Sequence, residues 1–252
     1  MAHRRPSAPV LPAVRNAARE LGDRRAAAGA GWVARLLGMD PPRVESVLAE
    51  VDRLRPWARA IRARHQEGGR PNYAQFRAPF ELYALVRLLR PRHIVETGVS
   101  SGVSSAHFLL GIRRNRVGRL HSIDRPTVQR SVRFGPNDSP VAVPPGRSSG
   151  WAVPPELRRG WDLRVGPSEQ LLPKLIAEIP TVDLFLHDSL HTPRHLSFEL
   201  ETIRPKLHPG SVVLADNTIW TGTAFPRFAR SLGARVVRRG RSDLVGLRVP
   251  EP

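Results

Sequence analysis

The chain contains no cysteine, which excludes disulfides, thiolate zinc sites and cysteine nucleophiles and permits a reducing compartment. Any metal must be held by oxygen or histidine. Lysine is nearly as scarce. Of the 40 basic residues only Lys174 and Lys206 are lysines, and the arginines are spread along the chain instead of forming one tract. Aromatic residues make up 6%, and no RNA-binding motif interleaves them with basic side chains. The formal charge of +18 is the one feature that favours a nucleic-acid partner, and an arginine bias of this kind also follows from a GC-rich coding sequence. No segment approaches the ~20 apolar residues of a membrane span, and the basic start is not followed by an apolar run of signal-peptide length. The expectation is a soluble, cytoplasmic protein with no membrane partner.

At 252 residues and 40% hydrophobic, the chain can build one sizeable α/β domain plus an appendage. Residues 1–70 read as a peripheral N-terminal helical extension, partly disordered in its Ala-, Arg- and Pro-rich start, and 71–252 as the main domain. Asp40 followed by Pro41 and Pro42 is a helix start, and Val44, Val47, Leu48, Val51 and Leu54 then fall at helical spacing until Pro56. That apolar face packs on the main domain or on a second copy of the chain. After a break at Gly68 to Pro71, Leu82, Leu85, Val86 and Leu89 define another amphipathic helix that Pro91 ends.

The organising stretch is His93 to Ser105, H-I-V-E-T-G-V-S-S-G-V-S-S. It reads as a buried strand, a glycine turn and a helix start. Gly98 and Gly102 let the backbone approach a ligand, while Ser100, Ser101 and Ser104 supply hydroxyls beside the free N–H groups of the helix. The glycines are four apart, unlike the G-x-G-x-x-G of dinucleotide sites, and Glu96 stands two residues before the first. A carboxylate there repels phosphates and suits an ammonium group.

Arg119 to Asp124 is the second strand. Asp124 at its end either accepts two hydrogen bonds from a ribose diol or is a surface acid before a turn. A Pro/Gly-rich cover loop spans about 126–160, with Trp151 either a lid residue or an anchor. Trp161 to Val165 is the third strand. Ser168 and Glu169 begin the next helix, where they meet an adenine edge, cap the helix, or do both. Val182 to Leu186 and Ser211 to Ala215 are the fourth and fifth strands, and Asp188, Asp216 and Asn217 follow their carboxyl ends. Ligands bind at such ends in open α/β sheets. Two carboxylates and an amide from adjacent strands form a hard oxygen set of the kind Mg²⁺ accepts. The chain closes with a hairpin, Ala234 to Arg238 and Asp243 to Val249.

From V-E-T-G-V-S-S-G-V-S-S through S-I-D, V-G-P-S-E-Q-L-L-P-K-L, V-D-L-F-L-H-D-S-L-H and V-V-L-A-D-N, residues 78 to 250 resemble the class I S-adenosylmethionine-dependent methyltransferases. They resemble most the metal-dependent O-methyltransferases of the catechol type, with H-D-S-L-H-T similar to a neighbouring bacterial branch. The resemblance implies a Rossmann-like seven-stranded sheet, mostly parallel with an antiparallel C-terminal strand. It places Glu96, Gly98, Ser100, Gly102 and Ser104 around the methionine part of S-adenosylmethionine, Asp124 on the ribose, and Ser168 with Glu169 on the adenine. Asp188 stands beside cofactor and metal, and Asp188, Asp216 and Asn217 bind Mg²⁺ or another divalent cation.

His191 falls three residues after Asp188, where catechol-type enzymes carry a lysine base. A histidine can take a proton from a metal-acidified hydroxyl near neutral pH, or it merely begins the next helix. His187 is a further departure from the family pattern, as a second proton carrier or a metal neighbour. The function expected is Mg²⁺-assisted O-methylation of a small hydroxylated acceptor. An RNA or N-methyltransferase, and a non-catalytic cofactor-binding protein on the same fold, are the alternatives.

Overall fold

The computed structural model describes residues 28–68, 76, 78–126, 143–240 and 242–251. The disordered start expected within 1–27, the chain break around 69–71 and the first part of the cover loop, 127–142, lie outside the described residues.

Seven strands form one sheet: β1 (His93–Thr97), β2 (Arg119–Asp124), β3 (Trp161–Val165), β4 (Leu184–His187), β5 (Val212–Ala215), β6 (Val237–Arg238) and β7 (Val245–Arg248), in the order β3-β2-β1-β4-β5-β7-β6. The first five run parallel, and β7 enters antiparallel to both β5 and β6. This is the expected Rossmann-like sheet. Every residue of β4 and β5 is buried, because helices cover both faces and each strand must be apolar on both sides.

The alternation of side chains divides the core in two. Ile94, Leu184, Leu186, Val212 and Leu214 join one cluster, with residues of α1 (28–37), α4 (Pro79–Leu89) and α5 (Val103–Asn115). Val95, Phe185, Val213 and Ala215 join the other, with α6 (Ser168–Glu178), α7 (Pro193–Ile203) and α8 (Ala224–Ser231). The chain reverses its winding between β1 and β4, and it is at the carboxyl ends beside such a switch that open α/β sheets bind ligands.

The N-terminal helices depart from expectation in two ways. First, α1 is a core element: Trp32 is fully buried and its indole N–H donates to the Val237 carbonyl at 3.0 Å, while Arg248 donates to the Leu37 carbonyl at 2.9 Å. Its fit depends on the β6–β7 hairpin more than 200 residues away, which local periodicity does not reveal. Secondly, Pro56 starts a helix instead of ending one. The chain passes from α2 (Pro41–Ala49) through a 3-10 turn (Glu50–Leu54) into α3 (Arg55–Gln66), with Pro56 in the first turn, where its missing N–H costs nothing. Glu50 ties this turn to α4 by accepting from Tyr83 at 2.6 Å and pairing with Arg87 at 3.0 Å.

The terminal hairpin is shorter than its apolar pattern suggests, since pairing covers only Val237–Arg238 against Val245–Gly246.

Candidate functional site

The cradle is built as its glycines require. Gly98 and Gly102 have φ of +86° and +84°, and Ser100 takes the same left-handed region at +48°. Gly98 is also a close-approach position: a Cβ there would stand 2.0 Å from the Asp188 carbonyl oxygen. The Asp188 amide donates to the Thr97 carbonyl at 2.8 Å and the Asp216 amide to the His187 carbonyl at 3.0 Å. The ends of β1, β4 and β5 therefore bring Gly98, Asp188 and Asp216 into one crevice.

Glu96 lies beneath the cradle with no exposed surface. Its carboxylate accepts from the hydroxyls of Ser104 at 2.5 Å, Ser105 at 2.6 Å and Ser122 at 2.7 Å. Burial outweighs these bonds and pushes its pKa up to about 7. Ser104 is thus engaged with Glu96, and Ser122 in turn accepts from the Trp161 indole at 2.9 Å.

Asp124 closes β2 and is nearly buried. Its Oδ1 accepts the Val99 amide at 3.0 Å, and its Oδ2 accepts the Ser149 hydroxyl. A segment of the cover loop therefore reaches the cradle. Trp151 in that segment is 4% exposed and stacks on His65 of α3 with centroids 6.1 Å apart, which is the anchor reading of this residue.

Ser168 and Glu169 open α6. Their common neighbour is His195 of α7, whose Nε2 is 3.0 Å from Ser168 Oγ and whose Nδ1 is 3.3 Å from a Glu169 oxygen. Ser168 is buried, whereas the Glu169 side chain is half exposed. Burial opposes the charged imidazole of His195, but the carboxylates of Glu199 and Glu169 hold its pKa above the ordinary value.

The carboxyl ends of β4 and β5 carry the remaining groups. His191 Nε2 lies 3.4 Å from Asp188 Oδ1 and 3.4 Å from the Asn217 amide nitrogen. Its ring meets those of His187 at 5.7 Å and Trp220 at 6.0 Å. Asn217 sits in the left-handed region with φ of +52°. Burial and the charge of Asp188 push the Asp216 carboxyl up to about 7. Among the described residues no group of three or more His, Asp or Glu is arranged to hold a metal ion.

Sequence reasoning missed the hub of this region. Glu199 of α7 is fully buried and accepts from Thr97 Oγ1 at 2.6 Å, His187 Nδ1 at 2.7 Å, Ser189 Oγ at 2.9 Å and His195 Nε2 at 2.9 Å. Burial alone would raise its pKa, but the two histidines hold it well below the usual carboxylate range. Its signal was present: Leu196, Leu200 and Ile203 mark the apolar face of α7, and an acid at 199 lies on that same face.

Comparison with known proteins agrees with this architecture. A family model described as a methyltransferase domain matches residues 95–218. Among solved structures, the calicheamicin methyltransferase CalS11 is similar at 25% identity and TM-score 0.51, covering 68% of this chain and 76% of its own. The O-methyltransferase TomG from Streptomyces achromogenes, solved with S-adenosylmethionine, is 22% identical with TM-score 0.51, covering 77% and 89%. The methyltransferase PaMTH1 from Podospora anserina, solved with S-adenosylhomocysteine, is 16% identical with TM-score 0.52, covering 81% and 96%. The search of curated proteins gave no match. The sheet order and the matched methyltransferase domain give this chain the class I S-adenosylmethionine-dependent methyltransferase fold, related to that of the O-methyltransferases.

Proposed function

We propose that the chain methylates a hydroxyl oxygen of a small molecule, with the cofactor held across the cradle and His191 taking the acceptor's proton. The observation that carries this reading is the meeting of His191 with Asp188 at 3.4 Å, beside Asp216 and directly across from Gly98. The left-handed cradle at Gly98, Ser100 and Gly102 fits the methionine end of the cofactor, and the nearly buried Asp124 fits the ribose hydroxyls. Ser168 and Glu169 flank the adenine edge. S-adenosylmethionine supplies an activated methyl group on sulfur, so the protein's work is to align the acceptor oxygen and remove its proton. Asp188 orients the imidazole for that task, and Glu96 supports the cradle from below through Ser104. The similarity to the calicheamicin methyltransferase supports a small-molecule acceptor.

Asp188, Asp216 and Asn217 are the residues that would hold a divalent cation. The donor chemistry fits: two carboxylates and an amide, with Asp216 pushed up to about 7 by burial and by the repulsion from Asp188 that a cation relieves. A bound Mg²⁺ would acidify the acceptor hydroxyl. A second reading needs no metal. It is favoured by the ready-made His191–Asp188 pair.

Calorimetric titration with S-adenosylhomocysteine, with and without Mg²⁺, tests the cofactor site, and transfer of labelled methyl to a panel of hydroxylated small molecules tests the reaction. Saturable binding that Asp124→Ala weakens is expected. Absence of binding by folded protein would overturn the cofactor assignment. Turnover that survives EDTA and Asp216→Ala would select the metal-free reading.

A further inference from the structure

We propose that Ser149 is a positioning residue for the ribose-binding carboxylate, and that the strap it begins, Ser149 to Val153, makes helix α3 part of the cofactor site. The inference rests on the assignment of Asp124 to the ribose.

The two oxygens of Asp124 are held by donors that are each 25 residues away in the chain, Val99 N–H on one side and Ser149 Oγ on the other. Ser149 and Asp124 are 5% and 6% exposed, so the bond is shielded from water, where a charge-assisted hydrogen bond is strongest. The χ2 torsion of an aspartate is otherwise broad. Donors on both oxygens define the carboxylate plane and still leave two of about four lone-pair directions for a diol.

The strap is sewn to the cradle through its backbone. Gly150 N–H donates to the Ser100 carbonyl at 2.8 Å and Ala152 N–H to the Ser101 carbonyl at 2.9 Å. Contact is close enough to exclude side chains: a Cβ on Gly102 would stand 2.8 Å from Gly150 Cα, and one on Gly150 would stand 2.3 Å from the Trp161 ring. On its other side the strap is held by α3 and the turn after it. Trp151 stacks on His65, Arg64 Nε donates to the Trp151 carbonyl at 3.2 Å, and Arg147 donates to the Glu67 carbonyl at 3.2 Å. The chain of contacts thus runs α3, Trp151, Ser149, Asp124. A change in the N-terminal helices reaches the ribose carboxylate, at the end of β2, through the strap.

The test is calorimetric titration of the full chain with S-adenosylhomocysteine, using wild type, Ser149→Ala, Ser149→Thr, Arg64→Ala, Asp124→Asn and the Ser149→Ala/Asp124→Asn double variant. Ser149→Ala is expected to weaken binding about ten-fold or more, the scale of one hydrogen bond to a charged group. Ser149→Thr, which keeps the hydroxyl, restores affinity. In the Asp124→Asn background Ser149→Ala causes no comparable further loss, which a general destabilisation would not reproduce. Arg64→Ala weakens binding about three-fold or more through the strap. Equal losses from Ser149→Ala in both backgrounds, or affinity within about two-fold of wild type, would overturn the role. If Ser149→Ala does not fold, Arg64→Ala decides, and unchanged affinity there overturns the coupling to α3. Folded wild type that binds no S-adenosylhomocysteine removes the ribose assignment itself, an outcome separate from failure of the strap.

Discussion

Glu199 accepts the Nδ1–H of His187 at 2.7 Å, and neither side chain has any exposed surface. A buried ionised carboxylate persists only when donors replace its water, and here Thr97, Ser189 and His195 complete the set. His187 stays neutral because burial pushes its pKa down. With Nδ1 spent on Glu199, its buried Nε2 meets no hydrogen-bond partner among the described residues. The hub joins β1, β4 and α7, and through the His187 ring, 5.7 Å from that of His191, it reaches the groups after β4.

Truncation of this hub should be costly. Glu199→Ala leaves four donors without their acceptor and is expected to destabilise the fold by about 3–5 kcal/mol, measured by urea unfolding at pH 7. A loss below about 1 kcal/mol would mean that the donors find other partners. The depressed carboxylate pKa contributes stability that is present above the unfolded-state value and is lost only as pH falls through the folded one, so Glu199→Gln should differ from wild type least in strong acid.

Glu96 titrates in the opposite sense. Its pKa rises on folding from 4.5 to about 7, so between those values the folded state binds the extra proton and stability falls as pH rises. The difference between wild type and Glu96→Gln isolates this group from His107, which burial pushes down to about 4, and from Asp216. Relative to the variant, wild type should lose up to about 3 kcal/mol as pH climbs through that window. Unfolding midpoints at pH 4.5 and 7.5 read it directly, and a flat difference would place Glu96 in a wetter setting than its three serine contacts indicate.

Gly98→Ala tests the cradle. The new methyl would fall 2.0 Å from the Asp188 carbonyl at a backbone φ of +86°, so the ends of β1 and β4 must part. Loss of S-adenosylhomocysteine binding is expected, with a fall in stability on the order of 3 kcal/mol. Gly146, also at positive φ but with nothing among the described residues within 4 Å of a Cβ built there, is the control for backbone strain alone.

His191→Ala should separate chemistry from binding. As the acceptor's base it is expected to contribute about 10²- to 10⁴-fold to turnover while leaving S-adenosylhomocysteine affinity as in wild type. An unchanged rate with a validated acceptor would move the proton-accepting role to another residue.

The local code of the chain was sufficient for much of this protein. Five parallel strands, the glycine cradle, the acid that closes β2 and the acids after β4 and β5 were all legible, because strand periodicity and turn chemistry are properties of neighbouring residues. The oxygen-bearing residues at the strand ends follow from those boundaries without knowledge of the fold's interior.

Tertiary structure alone decided what each polar group faces. Glu96 pairs with serines from α5 and β2, Asp124 is clasped by a residue of the cover loop, and Glu199 gathers donors from β1, β4 and α7. The partners of Asp124 and Glu199 stand as far as 25 and 102 residues away in the chain. Helix α1 became part of the core because the β6–β7 hairpin bonds to it. An acid in a sequence window looks the same whether water, a ligand or four buried donors will solvate it. Only packing removes the water, and with it removed the carboxylate must take the partners that the fold has placed within reach.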